Sequence, residues 1–223
     1  MPIVTLILTA VTRDSIVQVS DRRLTRSDGT LFDDNTTKAI LFCGRLAIGY
    51  TGSAFIENVP TAEWLARVIA PHQDIEAGFD DAVSKLETFI TSQPSPKTWR
   101  LAFVATGWGT ETRAGRLNPT PFIYTVSNFL GDDGTSLQDA TPSWNKRVEW
   151  LEPGFSHLLG IAGQHLTKLE KDSIDRAIRN TLKRCAAPYG LAEALGETIR
   201  IIACESSERG KCVGRGANSA SLV

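Results

Sequence analysis

Three histidines and four cysteines are too few, and too scattered, to build a recognisable metal centre. Cys43, Cys185, Cys204 and Cys212 contain no C-x-x-C spacing, and His72, His157 and His165 complete no ligand pattern. No metal and no cofactor is therefore expected, and the cysteines read as buried free thiols of a reducing compartment. Long apolar runs are missing too. The longest, such as "LIL" and "IRIIAC", fall far short of the roughly 20 residues of a membrane-crossing helix. A basic start followed by an apolar signal core is absent, so the expected address is cytoplasmic. Charge of one sign is lacking as well. With 24 basic and 25 acidic residues the net charge is −1, which gives no bulk attraction for nucleic acid or an anionic membrane. Low-complexity segments and internal repeats are not found.

What is present is ordinary globular composition, 42% apolar and 22% charged over 223 residues, enough to bury a substantial core. "TLILTAVT" alternates with a two-residue period, Asp14-Ser15 offer turn chemistry, and "IVQVS" returns as a second strand. A polar loop (25–34) leads to "TKAILFC", then Gly44-Arg45 as a two-residue turn with glycine first, then "LAIGYTG". Helices follow: "TAEWLARVIA" behind Pro60 with Thr61 as cap, and "DDAVSKLETFITSQP" ended by Pro94. Strands are expected at "WRLAFVATGW" and "PFIYTV", a loop over 131–143, and a strand at "SHLLGIAG". Two amphipathic helices, around Ile174–Leu182 and Leu191–Ile202, precede a closing strand "ANSASLV". Strands, two helices, strands, two helices, strand: that order suits packed sheets with helix pairs outside, an α+β arrangement, and not a doubly wound parallel sheet. One domain over 1–223 is expected, with 1–4 as a short leader.

The order "T-L-I-L … R-D-S-I-V … S-D-R-R … T-K-A-I-L … L-A-I-G-Y-T-G" resembles proteasome β-type subunits and their bacterial relatives among the N-terminal-nucleophile hydrolases. "VATGWG" is similar to that family's "GWD" strand end, "GIAG" (160–163) to its Gly-rich turn before a helix, and "VGRGANSASLV" to its closing strand. The resemblance implies a four-layer αββα sandwich. It implies a homo-oligomeric ring, with the helix faces at Trp64–Ile69 and Ile174–Leu182 as candidate contacts, and a peptide or unfolded-protein substrate. By the same resemblance Thr5 falls on the nucleophile, Asp21 and Arg23 on the Asp-x-Arg pair, Lys38 on the strand-heading lysine and Gly52 on the small-Gly position. Lys38 follows Asp21 by seventeen, one more than the family's usual separation.

The chemistry of such a set stands on its own. A threonine hydroxyl is a weak nucleophile and needs a base. A free α-amine, with a pKa of about 7.7–8.0, is roughly a tenth neutral at pH 7, against under about a thousandth for a solvated lysine. The threonine's own amine is thus the better base, provided Thr5 is freed. Lys38 would then supply positive charge, Asp21 would orient it, and the Gly52 N–H would donate to an oxyanion.

Two departures favour a second reading, a non-catalytic ring-forming or scaffold subunit. Val4, β-branched, stands where self-processing relatives carry glycine, and "RGKCVGRG" (209–216) offers no carboxylate or hydroxyl where the family has helper Asp and Ser residues. A third reading takes "MPIVT" as a tautomerase-like start with the Pro2 amine as base. It matches five residues only, and the hairpins and helix pairs beyond do not suit it.

Overall fold

The computed structural model describes residues 6–22, 24–25, 31–33, 35–113, 116–131, 137, 139–163, 166–184, 188–208 and 217–222. Its strands are β1 (Leu6–Val11), β2 (Ile16–Asp21), β3 (Leu24–Thr25), β4 (Leu31–Asp33), β5 (Ala39–Phe42), β6 (Leu46–Thr51), β7 (Phe55–Ile56), β8 (Val59–Pro60), β9 (Ala102–Arg113), β10 (Arg116–Ser127), β11 (Asn145–Trp150), β12 (Leu158–Gly163) and β13 (Ala217–Leu222). Its helices are α1 (Thr61–Ile69), α2 (Ile75–Thr91), α3 (Lys168–Arg184) and α4 (Pro188–Glu208).

Two antiparallel sheets dominate, one ordered β12-β1-β2-β13 and the other β11-β10-β9-β6-β5. Successive side chains of a strand point to opposite faces, and the sequence uses both. Leu6, Leu8, Val17 and Val19 pack against Ile174, Ile178, Leu191 and Leu195 of α3 and α4. Ile7, Val11 and Ile16 turn the other way and meet Ala47, Val104 and Ile123 of the second sheet. That sheet's far side, with Ile48, Tyr50, Phe103 and Tyr124, is covered by Trp64, Leu65, Phe79 and Leu86 of α1 and α2. The layers are therefore helices, sheet, sheet, helices: the αββα sandwich expected from the sequence.

Local chemistry sets the helix starts. Asp74 caps α2 by accepting from the N–H groups of Glu76 and Ala77, each at 3.3 Å, so α2 begins five residues before the expected "DDAVSK". Thr167 and Glu170 form a reciprocal capping box at the start of α3: Glu170 N donates to Thr167 Oγ1 at 3.3 Å and Thr167 N to Glu170 Oε2 at 2.6 Å. Thr61 does not cap α1. It is the first helical residue behind Pro60, and its hydroxyl donates to the Ser53 carbonyl at 2.7 Å.

Other expectations are corrected. The β5–β6 turn centres on Cys43 and Gly44, both at positive φ (51° and 64°) and closed by Arg45 N to Phe42 O at 3.0 Å, so glycine is the second turn residue. Cys43 is exposed at that tip rather than buried, while Cys185 and Cys212, and the side chain of Cys204, lie outside the described residues. "VATGWG" lies inside β9, which runs on to Arg113, and "GIAG" is strand β12 rather than a turn. β11 was not foreseen. The faces at Trp64–Ile69 and Ile174–Leu182 are spent on the core, with Trp64, Leu65, Ile69, Ile174 and Ile178 all buried, so they do not present the exposed contact patches expected of them. Among the described residues no helix is long and apolar enough to cross a membrane, and no His, Cys, Asp and Glu cluster has metal-ligating geometry.

Tyr50, 2% exposed beneath the α1–α2 layer, carries a pH consequence. Burial pushes its phenol up to about 12. Above pH about 10 the unfolded chain loses this proton while the folded one keeps it, so stability falls as pH rises from about 10 to about 12, by about 2–3 kcal/mol in total. Tyr50→Phe is expected to remove this part of the decline, read as the difference in urea-unfolding free energy between pH 8 and pH 11.

Candidate functional site

The two sheets are tied together at one end. There β1 begins at Leu6, β2 ends at Asp21, β12 ends at Gly163 opposite Leu6, and β13 begins at Ala217 opposite Asp21. From the second sheet come Lys38, one residue before β5, and Gly52, one residue after β6. Tyr50 N donates to the Lys38 carbonyl at 3.2 Å, which extends the β5–β6 pairing by one step and puts Lys38 and Gly52 at the same end of their sheet.

Lys38 reaches from one sheet to the other. Its Nζ lies 3.0 Å from Asp21 Oδ1, and both side chains are 0% exposed. The same carboxylate oxygen accepts the backbone N–H of Leu6 at 3.3 Å. Asp21 therefore joins the strand that follows Thr5 to the lysine of the opposite sheet. Burial lowers the Lys38 pKa, and the charge and hydrogen bond of Asp21 work against that fall without cancelling it. Such an ammonium gives up its proton more readily than a solvated lysine does. Next to Asp21, the Ser20 hydroxyl is fully buried and finds no hydrogen-bond partner among the described residues.

Gly52 stands at φ +110°, and a Cβ built there would lie 2.0 Å from the Arg100 carbonyl oxygen. Its neighbour leaves no room for a side chain, so glycine is required for both conformation and space. Thr5 and Arg23 lie outside the described residues, as do Pro2 and 209–216. Of the five residues singled out in the sequence, Asp21 and Lys38 are in contact, and Gly52 shares their end of the sandwich. The Leu6 N–H had no sequence signal, because any residue but proline supplies the same donor.

No family model matches the sequence, and no curated protein matches it. Among solved structures the chain is similar to eukaryotic HslV from Trypanosoma brucei, with a TM-score of 0.50 and 13% sequence identity, over 97% of this chain and 98% of that one. At this identity the likeness is one of fold. The chain has a proteasome-β-like fold, the αββα sandwich of N-terminal-nucleophile hydrolases.

Proposed function

We propose that the chain is a proteasome-type threonine-nucleophile peptidase or amidohydrolase, competent once cleavage of Val4–Thr5 frees the Thr5 amine. One observation supports this above the others: a fully buried Lys38–Asp21 pair whose carboxylate also holds the N–H of the residue after Thr5. Buried ion pairs contribute little net stability relative to well-packed apolar residues, so a fold has small reason to keep one for strength alone. Beside a nucleophile the pair has a use.

In this reading the Thr5 hydroxyl attacks the amide carbonyl carbon while its proton passes to the Thr5 amine. Lys38 stabilises the developing negative charge, and the Gly52 N–H donates to the carbonyl oxygen. Collapse breaks the C–N bond, and the leaving amine takes the proton. Water then releases the acyl group by the same route. Arg23, two residues after Asp21, is kept in the site by the Asp-x-Arg resemblance. Peptides or unfolded chains are the substrates, and a homo-oligomeric ring encloses the sites.

The alternative is a non-catalytic subunit of the same fold, favoured by Val4 before Thr5 and by the absence of hydroxyl and carboxylate side chains over 209–216. Native mass spectrometry of the purified protein, followed by peptide-amide hydrolysis, separates the two. A ring of chains beginning at Thr5, with kcat falling at least about a thousandfold in Thr5→Ala, is the expected result. Chains that retain Met1–Val4, or Met loss that leaves Pro2 first, combined with hydrolysis indifferent to Thr5→Ala, would overturn the peptidase reading. Loss of keto–enol turnover in Pro2→Ala would point instead to the tautomerase reading.

A further inference from the structure

Away from the Lys38–Asp21 pair, three side chains form a hydrogen-bonded line. Ser156 Oγ lies 2.9 Å from His157 Nδ1, and His157 Nε2 lies 2.8 Å from Asp175 Oδ1. Arg179 Nε donates to the other carboxylate oxygen at 2.7 Å. Ser156 is exposed on the lead-in to β12, whereas the His157 side chain is 5% exposed. Asp175 and Arg179 lie one turn apart on α3.

The line has a fixed polarity. An ionised carboxylate can only accept, so Nε2 carries the hydrogen that points at Asp175. In the neutral imidazole Nδ1 is then the acceptor, and the Ser156 hydroxyl donates to it. Partial burial works to raise the Asp175 pKa, yet hydrogen bonds from His157 and Arg179 bring it below the ordinary carboxylate value, which keeps it in the accepting form. A hydroxyl facing a base that a third group orients is the general pattern of an activated nucleophile. Ser156 also opens on space: it lines a cavity of about 340 Å³ with Thr12, Arg13, Asp14, Gly154, Phe155 and Leu182. Phe155 and Leu182 give it an apolar wall, and Arg13 and Asp14 give it one charge of each sign.

We propose that Ser156, His157 and Asp175 form a second, serine-based acyl-transfer site for small esters, separate from Thr5. Ser156 Oγ attacks the ester carbonyl carbon, and its proton moves to His157 Nδ1. The tetrahedral adduct collapses with cleavage of the C–O bond, and the leaving alkoxide takes the proton from Nδ1. Water attacks the acyl-serine by the same path, releasing a carboxylic acid and restoring the hydroxyl. Ser156 and His157 touch the reacting atoms, whereas Asp175 is a positioning residue that acts through His157.

The test is labelling of the purified full chain with a fluorophosphonate, in which an O–P bond forms at serine and fluoride leaves, with the modified peptide identified by mass spectrometry. The expected label lies on Ser156, vanishes in Ser156→Ala, and slows at least about a hundredfold in His157→Gln. Asp175→Asn slows it about tenfold, and Asp175→Glu restores part of the rate. Hydrolysis of p-nitrophenyl acetate follows the same order. Should His157→Gln fail to fold, comparison of native with heat-denatured wild type still decides, because the label requires the folded line. A label absent from Ser156, equally strong after denaturation, or indifferent to His157→Gln in a folded variant overturns the proposal. A label confined to Thr5 would do the same while leaving the peptidase reading intact.

Discussion

Lys38→Ala is expected to destabilise the protein by about 3–5 kcal/mol, because it removes the ammonium from a buried ion pair and leaves the Asp21 carboxylate in a site with no exposure. Against a total stability of about 5–15 kcal/mol this is a large fraction. For a chain of this size it corresponds to a fall in melting temperature of about 6–20 °C. Water cannot relieve the carboxylate where it stands, since Asp21 and its surroundings on β1 and β2 are all buried. The companion variant Asp21→Asn/Lys38→Met removes both charges of the pair and keeps an acceptor for the Leu6 N–H. It should recover most of the lost stability, giving a coupling energy of the same order as the single-variant loss. Thermal melts followed by circular dichroism measure all four corners of the cycle. If Lys38→Ala melts within about 2 °C of wild type, the buried pair is not what holds the sheets at this end. The double variant carries the functional half of the argument. It is expected to fold, and in the peptidase reading it is expected to be inactive even when it begins at Thr5.

How much of this could be read in advance varied with the kind of interaction. β1 and β2 were legible because their apolar residues serve two cores: every position of β1 is hydrophobic or threonine, and β2 opens on Ile16-Val17 and keeps Val19. β11 was not. It is an edge strand, and "NKRVEW" spends its positions on an Arg147–Glu149 ion pair and an exposed Val148, the charged style that discourages edge pairing and erases the apolar alternation. The capping box of α3 sits in plain view as "TKLE", yet the apolar spacing that marked that helix starts only at Ile174. Asp21 and Lys38 came from order and spacing along the chain; their mutual burial came only from the packing of one sheet on the other. Backbone donors and acceptors such as Leu6 N–H and Arg100 O carry no residue-specific mark at all. Asp21, Lys38 and Gly52 were therefore legible, and the backbone groups they meet, Leu6 N–H and Arg100 O, were not.

One of those backbone groups gives the other large effect. Gly52→Ala places a Cβ 2.0 Å from Arg100 O and 2.8 Å from a Leu101 methyl, at φ +110° where an L-residue is already strained. The cost depends on whether Arg100–Leu101 can move aside, and the hydrogen bonds say it cannot. Leu101 N donates to Asn128 Oδ1 at 2.8 Å, the Asn128 side-chain amide donates to Trp99 O at 2.8 Å, and Leu101 O accepts from both Asn128 N and Ser127 Oγ at 3.2 Å. A clamp on each side of Arg100 fixes the carbonyl that the new methyl would strike. Strain and overpacking together are expected to cost about 3–5 kcal/mol. Gly44→Ala is the reference for a positive-φ glycine with open space around it. Gly44 also has positive φ (64°), but nothing lies within 4 Å of its Cβ position, so it should lose only about 1 kcal/mol. Melting temperatures of the two variants side by side are the measurement: a Gly52→Ala loss no larger than that of Gly44→Ala would mean that neither the +110° backbone nor the Arg100 contact makes glycine necessary there. The same displacement moves the Gly52 N–H away from any oxyanion it serves. In the peptidase reading kcat should therefore fall about 10²–10³-fold at temperatures where Gly52→Ala remains folded, while Gly44→Ala keeps its rate.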